Sequence, residues 1–64
     1  MNKNLKLARI RAELTQKELA KRVGITNKYL SQIERGVSLN PSKGIMERIS
    51  KELNTSVQEL FFEI

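Results

Sequence analysis

The segment TQKELAKRVGITNKYLSQIERG, residues 15–36, decides the fold. It opens on TQKE, a capping box: the Thr15 hydroxyl can accept from the Glu18 amide while the Glu18 carboxylate accepts from the Thr15 amide. Leu19, Ala20 and Val23 then recur on one helical face, and Gly24 supplies a stop where the chain often needs positive φ. This predicts a helix over about 16–23. Thr26 caps a second helix, about 27–35, which ends at Gly36. Only the residues GIT separate the two, a link so short that it favours a steep crossing, the helix-turn-helix arrangement. Packing of that corner calls for a small residue at Ala20, a glycine at Gly24, and apolar locks at Leu19, Val23, Ile25, Leu30 and Ile33.

Helical punctuation continues on both sides, and strand signals are absent. Residues 3–13 read as a first helix, with Leu5, Ala8 and Ala12 on one face. After a loop containing Leu39, Pro41 suits a helix start, and residues 42–53 carry Met46, Ile49 and Leu53 on one stripe. A second capping box, SVQE (56–59), opens a short last helix with Val57, Leu60 and Phe61 inward. Residues 1–64 thus read as a single all-α domain of five helices.

The chain has 64 residues and neither Cys nor His. Disulfides and thiolate metal sites are therefore excluded, as are the commonest metal ligand and the commonest general acid or base. We expect no enzyme, no metal site and no cofactor. No apolar run approaches the roughly 18 residues of a membrane span, and the N-terminus lacks the apolar core of a signal peptide, so a cytoplasmic protein without membrane contact is expected. The net charge is +5, unevenly spread. Residues 1–44 hold ten Lys or Arg against three Glu, a net of +7; residues 45–64 hold two against four, a net of −2. A basic front and an acidic back suit a polyanion partner on one side. The only aromatics are Tyr29, Phe61 and Phe62, too few for a single-strand stacking platform, so duplex DNA is favoured over RNA.

The pieces Leu14-Thr15-Gln16, Glu18-Leu19-Ala20, Gly24, Ser31 to Gly36 and Pro41-Ser42 resemble the lambda-repressor and Cro-type helix-turn-helix family of bacterial and phage regulators, also called the xenobiotic-response-element family. The likeness runs from about Leu5 to Phe61. It departs from the family at Lys43, Ile45 and Ser50 in the fourth helix, and at Leu7 and Ile10, which are apolar where the family is usually polar. The resemblance implies a five-helix lambda-repressor-like DNA-binding domain. It also implies a sequence-specific transcriptional regulator, a repressor by expectation; with no effector domain in the sequence, no small-molecule effector is expected. The alternative is a protein-interaction or antitoxin-type module on the same fold, since fold does not fix function.

A recognition helix is apolar towards its partner helix and polar towards the major groove. Asn27 and Gln32 carry amides that can pair bidentately with adenine, Lys28 can donate to guanine, and Ser31 serves either. Tyr29 either packs on the neighbouring helix or meets a thymine methyl and a phosphate. Gln16 matches a family position that contacts the DNA backbone at the start of the second helix, itself an anion-favouring end. Lys17, Arg35, Ser38, Asn40 and Lys43 are further phosphate candidates. The resemblance also implies an ion pair between Arg9 and Glu34.

Apolar residues left over by the core suggest a partner. Leu7 and Ile10 point away from the inner face of the first helix, and Phe62 and Ile64 are spare on the last. In this family those helices lie side by side. The four residues then form one patch for a homodimer on a pseudo-palindromic operator, unless the FFEI tail folds over Leu7 and Ile10 within one chain.

Overall fold

A computed structural model of the chain describes residues 3–36 and 41–62. Five helices follow in order: α1 (Asn4–Arg11), α2 (Gln16–Val23), α3 (Asn27–Arg35), α4 (Lys43–Leu53) and α5 (Val57–Phe61). Helix α2 packs against α3 and α4, while α5 packs against α1 and α4. The core is the meeting point of these faces: Leu5, Ala8, Leu19, Ala20, Val23, Leu30, Ile49, Leu53 and Leu60. Leu14, Ile25, Ile33, Ile45 and Phe61 pack around it, partly buried. Leu19, Leu30 and Ile49 lie wholly out of solvent. Cutting any of them back to Ala should cost about 2–5 kcal/mol, through lost transfer energy and the cavity left behind.

The starts of the helices follow from short polar side chains. Thr15, Thr26, Ser42 and Ser56 each accept a hydrogen bond from the amide three residues on, at 3.0–3.2 Å. At α2 the box is reciprocal, with the Thr15 amide donating to Glu18 Oε1 at 2.8 Å. That bond, then the Thr15 hydroxyl, then the Arg22 charge, hold the Glu18 carboxyl below its ordinary range. The ends follow from left-handed residues. Gly24 (φ 86°), Gly36 (φ 67°), Asn54 (φ 52°) and Glu13 (φ 61°) each turn the chain out of a helix. After α1, α2 and α4 the amide following the left-handed residue bonds back to the final turn: Leu14 to the Arg9 carbonyl, Ile25 to that of Ala20, and Thr55 to that of Ser50, at 3.0–3.2 Å. This is the Schellman pattern, which satisfies carbonyls that the helix leaves open.

The structure corrects three expectations. Helix α1 is shorter than 3–13, because Glu13 enters the left-handed region and ends it after Arg11. Ala12 therefore sits past the last turn and is exposed, not on the core face. Gly24 is required by its backbone angle and not by crowding: a Cβ there would meet Arg48 Nη1 at an ordinary 3.8 Å. Two departures from the family gain a reason. Ile45 packs against the core, and the Ser50 hydroxyl donates to the Thr55 carbonyl, tying the end of α4 to the turn before α5. Leu39 lies outside the described residues.

Candidate nucleic-acid interface

Helix α3 is divided lengthwise. Leu30 and Glu34 are buried and Ile33 is half-buried, so one side is committed to the protein. At 100° per residue, Lys28, Gln32 and Arg35 form a stripe on the opposite side at i, i+4 and i+7. Lys28 and Arg35 are exposed and Gln32 is half-buried. Asn27 and Ser31 form the adjoining stripe. Asn27 is nearly in line with the buried Glu34, yet it is exposed because it occupies the first helical position, beyond the reach of the core. Tyr29 flanks the stripe on the other side and is half-buried. From Asn27 to Glu34 the helix advances about 10 Å, comparable with the roughly 12 Å width of a major groove.

The far end of α3 is tied to the start of α2. Arg9, on α1, donates from Nε to Glu34 Oε2 at 2.7 Å and from Nη2 to Glu34 Oε1 at 3.2 Å. Its Nη1 donates to the Leu14 carbonyl at 2.9 Å. The Glu34 side chain is 2% exposed and that of Arg9 11%. Gln16 joins them, its Nε2 donating to Glu34 Oε1 at 3.0 Å. The structure thus brings Arg9 and Glu34 together and sets Gln16, Lys17 and Arg35 at one end of α3, with Asn27 and Lys28 at the other. Lys43 is exposed at the first position of α4, whose N-terminal amides add the usual partial positive charge. Ser38 and Asn40 lie outside the described residues.

Sequence reasoning missed the Gln16–Glu34 bond. It spans 18 residues, and no periodicity links two positions that far apart. It also missed Arg48, whose Nη1 donates to the Val23 carbonyl at 3.4 Å and places a cation at the C-terminal end of α2, where the helix dipole favours it. Arg22, exposed, approaches Glu52 at 3.7 Å, and such an exposed pair is worth under about 1 kcal/mol. Across the molecule, Leu7, Ile10 and Phe62 are 48%, 52% and 54% exposed. Leu7 and Phe62 line an open groove of about 860 Å³ between α1 and the α4–α5 end, with Arg11 and Glu59 also on its walls. Ile64 lies outside the described residues.

Residues 5–60 match the helix-turn-helix family model. Among curated relatives, the HTH-type transcriptional regulator SlrR of Bacillus subtilis is 39% identical over 57 residues, 89% of this chain. SinR of the same organism, also an HTH-type transcriptional regulator, is 44% identical over 46 residues, 72% of this chain. The chain spans only 38% and 41% of those two relatives' own lengths. A crystal structure of SinR, the master regulator for biofilm formation, in complex with DNA superposes with a TM-score of 0.80 at 38% identity, covering 88% of this chain and 89% of that one.

Proposed function

The chain belongs to the helix-turn-helix family, and from that premise we propose that it binds duplex DNA sequence-specifically, as a homodimeric transcriptional repressor on a pseudo-palindromic operator. One observation carries the reading. The side of α3 turned from the core presents Asn27 and Lys28, exposed, and Ser31 and Gln32, half-buried, while the opposite side packs into the core through Leu30 and Ile33. A helix held that way offers its polar face as a rigid edge to the major groove. Asn27, Lys28, Ser31 and Gln32 contact base edges, with Tyr29 beside them. Gln16, Lys17, Arg35 and Lys43 meet phosphates and set the register, and Ser38 and Asn40 belong to the same proposed set. The likeness to SinR, solved on DNA, supports this.

The partner in the dimer is a second copy meeting the face that holds Leu7, Ile10 and Phe62, with Ile64 proposed alongside. The face is self-complementary in charge as well as apolar. Arg11 and Glu59 line one groove, so a two-fold axis can set the cation of one copy against the carboxylate of the other. A domain of 64 residues buries only about 60% of its unfolded surface and gains stability from such a contact. Repression needs no more than occupancy of a site that another protein must reach. A protein-binding role for α3 is disfavoured by the lack of apolar anchors on its exposed side. Gel shifts against genomic fragments surrounding the chain's own gene test the reading. A discrete complex that survives excess non-specific DNA is expected, and binding that such competitor abolishes for every fragment would contradict it.

A further inference from the structure

Glu34 is an odd residue to find beside a phosphate-binding end. Its carboxylate is almost wholly buried and accepts three hydrogen bonds, two from Arg9 and one from Gln16. A carboxylate only accepts. It therefore dictates which end of the Gln16 amide faces inward: the NH₂ must turn towards Glu34 and the carbonyl away. One N–H of that NH₂ is engaged by Glu34 Oε1, and the second has no protein acceptor among the described residues. Arg9 supplies the other half of the arrangement. Its guanidinium lies on both carboxylate oxygens, so Glu34 can orient the amide without offering a bare negative charge to an approaching phosphate.

We propose that Glu34, neutralised by Arg9, is a positioning residue that presets the Gln16 amide so that its second Nε2–H is aimed at a DNA phosphate. The inference rests on the reading that Gln16 contacts the backbone. It adds that the contact is preorganised in the free protein, so the amide need not be immobilised on binding. The same carboxylate links the phosphate contact on α2 to the last turn of α3, so the register set by the backbone is transmitted to the residues that meet bases.

A double-mutant cycle tests this. Gln16→Ala is made in the wild-type chain and in Arg9→Met/Glu34→Leu, which replaces the buried pair by apolar side chains and so avoids stranding one charge. Affinity is read on a mixed-sequence duplex at low salt, with folding checked by circular dichroism. In the wild-type background the loss should be about tenfold, as for a hydrogen bond to a charged group. In the Arg9→Met/Glu34→Leu background it should fall below about twofold. Equal losses in both backgrounds would overturn the positioning role while leaving the Gln16 contact intact. No loss in the wild-type background would remove the contact itself, and the proposal with it. If the double variant does not fold, the free wild-type protein decides. The two Gln16 side-chain amide protons should resonate well apart from those of Gln58 and exchange slowly. Coincident, solvent-averaged signals would contradict preorganisation.

Discussion

Lys17 and Gln32 are proposed to meet a duplex in different ways, and the difference is measurable. A lysine on a phosphate releases a counterion whatever the sequence, so Lys17→Ala should weaken all duplexes alike and flatten the salt dependence of log K by about one unit. A glutamine paired bidentately with adenine is worth roughly 1–3 kcal/mol against the wrong base. Gln32→Ala should therefore relax preference at one operator position and leave non-specific affinity nearly unchanged. Titrations of both variants at several salt concentrations, on selected and scrambled duplexes, separate the two. A change in salt slope for Gln32→Ala, or none for Lys17→Ala, would reverse the assignments. Glu13 raises a matter of stability. It holds φ at 61°, a region that costs a side chain about 1–2 kcal/mol. Glu13→Gly should raise unfolding stability by about 0.5–1 kcal/mol, because relief of that strain outweighs the added freedom of the unfolded chain. A loss in denaturant midpoint would show that the Glu13 side chain does something the backbone does not.

Helices α2 and α3 were legible to the residue because their limits are set locally: a Thr cap at one end and a left-handed Gly at the other. The stops at Glu13 and Asn54 were not, since nothing about Glu predicts the left-handed region and Asn is only permissive there. Periodicity alone therefore runs α1 past Arg11 and turns Ala12 inward, where Glu13 instead ends the helix. Of the candidate interface, the polar stripe on α3 was readable from helical period. The Arg9–Glu34 contact was implied only by family resemblance, and Gln16–Glu34 not at all, because such bonds depend on how three helices meet. The energy of that junction is testable. Arg9→Met or Glu34→Gln strands one group of a buried pair, and each should lower stability by about 3–5 kcal/mol. The combined Arg9→Met/Glu34→Leu chain should lie near the wild type. Denaturant unfolding of the three variants measures this, and single losses of a few tenths of a kcal/mol would place the pair in solvent.

The molecule is asymmetric in charge and in where it exposes apolar side chains. Its basic residues gather in 1–44 while acidic ones prevail in 45–64, and its large exposed apolar residues among those described, Leu7, Ile10 and Phe62, sit on α1 and at the end of α5. The proposed dimer through that face would leave both α3 helices free. Sedimentation at micromolar concentration should show a dimer that Phe62→Ser weakens. A dimer indifferent to Phe62→Ser and to Leu7→Ser would move the interface elsewhere.

Selection of binding sequences by the wild-type chain from a pool of random duplexes tests the central claim most directly, that α3 reads bases from a two-fold dimer. The result expected is an enriched inverted repeat whose half-site centres are about 34–36 Å apart, one helical turn. A pool that returns no sequence above background would contradict base reading, and a single asymmetric half-site bound by a monomer would contradict the dimer.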